Sequence, residues 1–250
     1  MVQRLGNLRA FTARTFGASQ WLIDKERRWI LLLAFGCAGV ATFLQIGVNV
    51  ADHHGMLALD LEILRGMAAR RQPFWTVHAI DITALGSLTL LSLASTIAGV
   101  SLLRMGDHRG VAQLVVSMGG VAVWTYVVKN LFTRARPDLV YRLIEVPGYS
   151  FPSGHSSGSS ALYLTLALVF APHLHHMSSR AILFSSCAFL SLIIGISRVY
   201  LGVHYPSDVV SGLTFGGGWA FLVAAVFAWR RTLQVDPDTA SGELDNLERK

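Results

Sequence analysis

The run WILLLAFGCAGVATFLQIGVNV, Trp29–Val50, decides the fold. It carries no charge, and about 20 mostly apolar residues suffice to cross the hydrocarbon of a bilayer as one helix. It follows Asp24-Lys25-Glu26-Arg27-Arg28, is too long for a signal-peptide core and lacks a small-residue cleavage site. It therefore reads as a retained span. Five more apolar stretches predict membrane helices at about Ile82–Leu103, Val111–Val128, Ser157–Ala171, Ala181–Ile196 and Val209–Trp229. The expected fold is an all-α, polytopic membrane helical bundle with six transmembrane helices. Composition agrees: 14% of residues are charged, against roughly 25% in soluble domains.

Orientation follows from Lys and Arg. With the N-terminus inside and sides alternating, thirteen basic residues fall on the inner side and eight on the outer. The positive-inside rule then makes both termini cytoplasmic. Residues 1–28 are expected as a basic cytoplasmic segment, in which Leu5, Leu8 and Phe11 have the spacing of an interfacial helix, a frayed basic tail being the other reading. Residues 29–231 form the six-span unit, and 232–250 a polar, disordered cytoplasmic tail. The net charge of +6 goes to topology and anion binding rather than to a nucleic-acid face, because the basic residues flank apolar runs. Cys37 and Cys187 lie inside such runs and read as small hydrophobes, with no disulfide and no zinc cluster. Gly212 and Gly216 form a small-xxx-small pair suited to close helix packing.

Three polar stretches sit where apolar runs begin or end: Lys129 to Pro137, Pro152-Ser153-Gly154-His155, and Ser197 to Asp208. Alternating crossings place all three on the same, outer side, so one site can collect them. Phosphoryl transfer needs its oxygens held, a nucleophile aligned and a proton for the leaving group. Lys129, Arg136 and Arg198 supply fixed positive charge, and the planar arginine fork meets two oxygens at once. Ser153 and Gly154 stand where the fourth span begins, and a helix N-terminus favours an anion. His204 and Asp208 are four apart, so the carboxylate can fix the imidazole tautomer and leave the other nitrogen to attack. His155 can protonate the departing group. A bell-shaped pH profile is expected, with His204 neutral and His155 protonated.

At these residues the chain resembles the type 2 phosphatidic acid phosphatase superfamily. That signature runs lysine, six residues, Arg-Pro; then Pro-Ser-Gly-His; then Ser-Arg, five residues, His, three residues, Asp. Lys129, Arg136, Pro137, Pro152, Ser153, Gly154, His155, Ser197, Arg198, His204 and Asp208 match every position. The resemblance implies a phosphohistidine intermediate on His204, oriented by Asp208, with His155 as acid and then base. It implies phosphate binding by Lys129, Arg136, Ser153, Gly154, His155 and Arg198, and no metal or other cofactor. It also implies a lipid phosphate substrate in a bilayer, and a multi-pass inner-membrane enzyme whose site faces outside. A polyprenyl diphosphate is the favoured substrate. Lipid A and phosphatidylglycerophosphate are alternatives, as is phosphotransfer through the same intermediate. Vanadium haloperoxidases share the motifs but are soluble. Nothing in the sequence sets the oligomeric state.

Other residues have open readings. Arg134 either touches substrate or pairs with Asp138. His78 and Asp81, three apart near the outer end of the second span, line the entrance, pair with a site residue, or form an interfacial polar pair. His53 and His54 read as outer-loop surface residues. His173, His175 and His176 fall on the inner side.

Overall fold

A computed structural model describes residues 28–52 and 56–233. The candidate interfacial helix near Leu5, the His53–His54 pair and most of the C-terminal tail lie outside the described residues. Among the described residues eight α-helices follow in order: α1 Arg28–Ala51, α2 Met56–Ala69, α3 Pro73–Ala84, α4 Leu88–Arg104, α5 His108–Phe132, α6 Gly154–Phe170, α7 Met177–Tyr200 and α8 Pro206–Thr232. Single 3₁₀ turns lie at Leu139–Tyr141 and Ala171–His173. No strand occurs among the described residues.

Four of these helices (α1, α5, α7 and α8) have the length and hydropathy of membrane spans, and α3 with α4 makes a fifth as a broken pair bent by 49°. Two of the six spans expected from hydropathy differ from a single full-length helix. The second is interrupted at Leu85-Gly86-Ser87, where Ser87 caps a new helix by accepting from the Leu90 amide at 3.3 Å. The fourth, α6, runs 17 residues, roughly 25 Å at the α-helical rise, just short of a full hydrocarbon thickness.

The stretch 51–77, between the first two expected spans, holds α2 and the first turn of α3. Leu61, Leu64 and Met67 recur at intervals of three along α2 and pack against Val199, Tyr205 and Val209. That periodicity was present in the sequence, but Asp60 and Glu62 interrupt it.

The core sits around α8. Within its apolar stretch 61% of α8 is buried, against 22% for α1 and for α5. The outer helices keep large apolar side chains exposed, including Phe35, Val115, Val123, Ile182 and Phe189. Lipid accounts for that pattern where water would not. Small residues let α8 approach its neighbours. A methyl on Gly216 would lie 2.1 Å from the Ser157 carbonyl oxygen of α6, and one on Gly39 of α1 would lie 2.8 Å from Gly218. The expected packing role of Gly212 and Gly216 is therefore met, with α6 as the partner. Ser156, Ser157, Ser159 and Ser160 form a buried hydroxyl-rich face on α6. Ser160 donates to the Leu213 carbonyl of α8 at 2.8 Å.

Candidate active site

The site is built where α5, α6, α7 and α8 meet at one end of the bundle. Each helix start there has a local cause. Ser153 caps α6, accepting from the Ser156 amide at 3.4 Å. Pro206 opens α8 with its fixed φ, and Tyr205 before it is extended (φ −75°, ψ 154°). The Ser153 amide donates to the Asp208 carbonyl at 3.0 Å, tying the two helix starts together. Phe151, fully buried, stacks on Phe43, meets Phe132 at a tilt and anchors the chain ahead of Ser153. Gly202 turns with φ +73°, where a Cβ would lie 1.8 Å from the Tyr141 carbonyl oxygen.

His204 is 2% exposed and Asp208 fully buried. Arg136 Nη1 lies 3.1 Å from His204 Nε2. A guanidinium only donates, so Nε2 must accept and is unprotonated. The imidazole proton is then on Nδ1, which faces Asp208 Oδ2 at 3.4 Å. The same Oδ2 accepts from the Tyr205 amide at 3.0 Å, which fixes the carboxylate. The contact to Nδ1 is long, but the tautomer it favours is the one Arg136 requires. Nε2 therefore presents its lone pair to the cationic side of the site.

Three cations from different elements gather at the site. Arg136 is pinned by the carbonyls of Val203 at 2.8 Å, Gly148 at 2.9 Å and Pro147 at 3.1 Å. Lys129 Nζ donates to the Tyr149 carbonyl at 2.6 Å. Arg198 is 2% exposed, and its Nη1 donates to Thr83 Oγ1 of α3 at 2.9 Å. Its Nε is buried and has no hydrogen-bond partner among the described residues. A buried, unsatisfied guanidinium donor in a cationic cluster suits an anionic ligand. His155 lies at the first turn of α6, within the fields of Arg198, His204, Arg136 and Lys129. The α3–α4 corner rests on it: a methyl on Gly86 would be 3.2 Å from His155 Cβ. A methyl on Gly154 would meet nothing closer than 3.9 Å, so packing alone does not demand that glycine. The amides of Gly154 and His155 belong to the first turn, beyond reach of intrahelical carbonyls.

A sequence profile of the PAP2 superfamily matches residues 110–232. Phosphatidylglycerophosphatase B of Bacillus subtilis is 30% identical over 187 residues, covering 74% of this chain and 92% of that protein. The chain belongs to the PAP2 superfamily. Lipid A 1-phosphatase of Rhizobium etli is 35% identical over 149 residues, 52% of this chain and 60% of that relative. The crystal structure of a transmembrane PAP2-type phosphatidylglycerolphosphate phosphatase from Bacillus subtilis superposes with a TM-score of 0.68 at 26% identity, covering 80% of this chain and 98% of that one. PAP2 membership makes the chain a phosphate-ester hydrolase, and with its apolar helices a multi-pass membrane protein.

The fold brings the motif residues of this PAP2 chain together, sets Arg134 behind them and leaves His78 and Asp81 outside. Arg134 pairs with neither Asp138 nor open space. Its Nη1 donates to Asp208 Oδ1 at 2.6 Å and its Nη2 to Asp60 Oδ2 at 2.7 Å. His78 and Asp81 are exposed on α3, and the His78 ring meets Phe74 edge-on at 4.4 Å. The residue of α3 that reaches the site is Thr83. His173 pairs with Asp107 at 3.4 Å, among residues of the opposite end. Asp60, Thr83 and Ser207 escaped the sequence reading, since no spacing links Asp60 or Thr83 to the motifs. Among the described residues no cluster of His, Cys, Asp and Glu could hold a metal ion.

Burial pushes the His204 imidazole down to about 4, against the opposing pull of Asp208. A histidine nucleophile attacks only when neutral. Its ordinary value is roughly 6.5, so the lowered one keeps it competent as pH falls through the window between the two. The acid limb of kcat/KM, corrected for the ionisation of the substrate phosphate, is expected well below pH 6.5. The unfolded chain binds the extra proton in that same window, so stability falls as pH drops through it. A free-enzyme limb at or above 6.5 would contradict this environment for His204.

Proposed function

We propose that the chain is a lipid phosphatase working through a phosphohistidine on His204. The observation that carries this reading is the lone pair of His204 Nε2, directed at Arg136 within a cluster of fixed cations. In the first step Nε2 attacks phosphorus. The bond from phosphorus to the lipid oxygen breaks, and His155, protonated once the docked phosphate anion offsets the cations around it, gives that oxygen its proton. In the second step His155 takes a proton from water, whose oxygen attacks phosphorus and releases phosphate and neutral His204. Lys129, Arg136, Arg198, Ser153 and the first-turn amides of α6 hold the phosphoryl oxygens, and Asp208 orients His204.

The excess of basic residues at the other end supports an extracytoplasmic site and cytoplasmic termini. Six crossings then follow with α3–α4 as one broken crossing and α6 as a short one, so that residues 29–231 form the catalytic unit. For the substrate, the relative matched over 92% of its length favours a phosphatidylglycerophosphate-like monoester. The polyprenyl diphosphate expected on family frequency presents the same terminal phosphate.

The test is phosphate release in detergent, with EDTA, from phosphatidylglycerophosphate, phosphatidate, lipid A and polyprenyl diphosphate. EDTA-insensitive release from at least one of them is expected, with ¹⁸O from water in the product. No release from any would overturn the reading. Label-free product together with a phosphorylated acceptor would make the chain a phosphotransferase.

A further inference from the structure

Asp60 is a carboxylate buried to 2% exposure on α2, outside the stretch matched by the superfamily profile. It accepts from Arg134 Nη2 at 2.7 Å, from the Ser207 amide at 2.9 Å and from the Ser207 hydroxyl at 2.5 Å. Arg134 in turn holds Asp208 Oδ1 and donates to Ser207 Oγ at 2.8 Å. Its guanidinium lies over the Tyr205 ring, 4.3 Å from the centroid. Burial would lower the Arg134 guanidinium, but Asp208 and Asp60 outweigh it and raise it above its ordinary value. Two carboxylates thus bracket one permanent cation.

The charge balance gives Asp60 its meaning. Attack by Nε2 leaves positive charge on the imidazole, and the negative charge of Asp208 is what faces it. Paired with Arg134 alone, Asp208 would sit in a neutral couple and offer His204 little field. With Asp60 on the far side, the trio carries a net charge of −1. One Asp208 oxygen is clamped by Arg134, and the other stays turned to the Tyr205 amide and Nδ1.

We infer that Asp60 is a positioning residue for the reaction: through Arg134 it orients Asp208 and keeps the negative charge that His204 needs. This rests on the reading of His204 as nucleophile. It also gives α2 a place in the active site that hydropathy alone would not assign. Ser207 joins the same clamp by offering Asp60 both its amide and its hydroxyl. The other charged or titratable groups at the site are Lys129 from α5, Arg136 from the loop, His155 from α6 and Arg198 from α7. All of them are cationic or neutral, so the Asp60–Arg134–Asp208 trio is the local source of negative charge.

The experiment compares wild type, Asp60→Asn, Arg134→Lys and His204→Ala for kcat, KM, the pH profile and the thermal transition in detergent. Asn is nearly isosteric and removes only the charge. Asp60→Asn is expected to lower kcat roughly 10–100-fold, the range that outer-sphere partners of a reactive group command. KM should not rise, because Asp60 does not reach the phosphate. The acid limb should move to lower pH, because the imidazolium loses a stabilising charge. Wild-type kcat and pH profile in Asp60→Asn would overturn the inference. So would a loss in which KM rises, the thermal transition drops and the acid limb stays put, since that is the mark of a structural staple. If Asp60→Asn does not fold, Arg134→Lys decides: one ammonium cannot span both carboxylates, so kcat should fall at unchanged KM, and wild-type kcat would sink the idea. His204→Ala separates the two readings. Activity surviving there refutes the nucleophile assignment, whereas its loss beside a normal Asp60→Asn refutes only the role of Asp60.

Discussion

His204→Ala is expected to reduce phosphate release by about 10⁴-fold or more, the scale on which removing a covalent nucleophile acts. The phosphoenzyme should vanish with it. Rapid quenching of the wild type with ³²P-labelled substrate should trap an acid-labile, alkali-stable adduct, as a phosphorylated imidazole gives, and His204→Ala should trap none. The structure makes this a demanding test, because among the described residues only the His204 ring is held beside the cations by both Arg136 and Asp208. His155 is the one alternative imidazole, and it stands at the first turn of α6. Label that persists in His204→Ala and disappears in His155→Ala would exchange the two roles. Some thermal stability should be lost to the cavity left by the buried ring, but Asp208 stays bound to Arg134 and the Tyr205 amide.

Arg198→Gln is expected to lower kcat/KM by about 10²–10³-fold, as loss of one fixed donor to a developing charge does. It should not lower the thermal transition. Arg198 is buried, has one side-chain hydrogen bond and lies in the field of Arg136, a like charge. A buried cation in that setting costs stability that an anionic ligand recovers. The variant is therefore expected to hold or raise the melting temperature while losing activity, a combination typical of residues kept for function. Inorganic phosphate should stabilise the wild type more than the variant. Arg198→Lys keeps the charge but loses the planar fork, so it should fall between the two. Full activity in Arg198→Gln, or equal stabilisation of both proteins by phosphate, would remove Arg198 from the anion site.

Much of the site was legible in the chain because its residues cluster at helix ends. His204 and Asp208 are one helical turn apart, so their pairing is local geometry. Ser153 and Gly154 announce the start of α6, and Ser153 does cap it. Arg134 shows the limit. Its neighbour Asp138 offered a local partner, but the loop folds back through Ser150, whose amide donates to the Arg134 carbonyl at 2.9 Å. That turn sends the guanidinium toward α8 and α2 instead. Thr83 is similar: it becomes a partner of Arg198 because α3, bent from α4, leans on α7.

The sequence by itself determined the membrane-embedded, all-helical class and the identity of the motif residues. Apolar length and residue spacing are properties of short stretches, and hydrocarbon leaves the backbone few choices besides the helix. Only the tertiary structure decided that α2 is a helix, that the α3–α4 pair breaks beside His155, and that Asp60 meets Arg134 across 74 residues of chain. Those features depend on which buried charge finds which partner. A carboxylate at 2% exposure is tolerable only where a distant cation arrives to meet it, and no local pattern records that arrival.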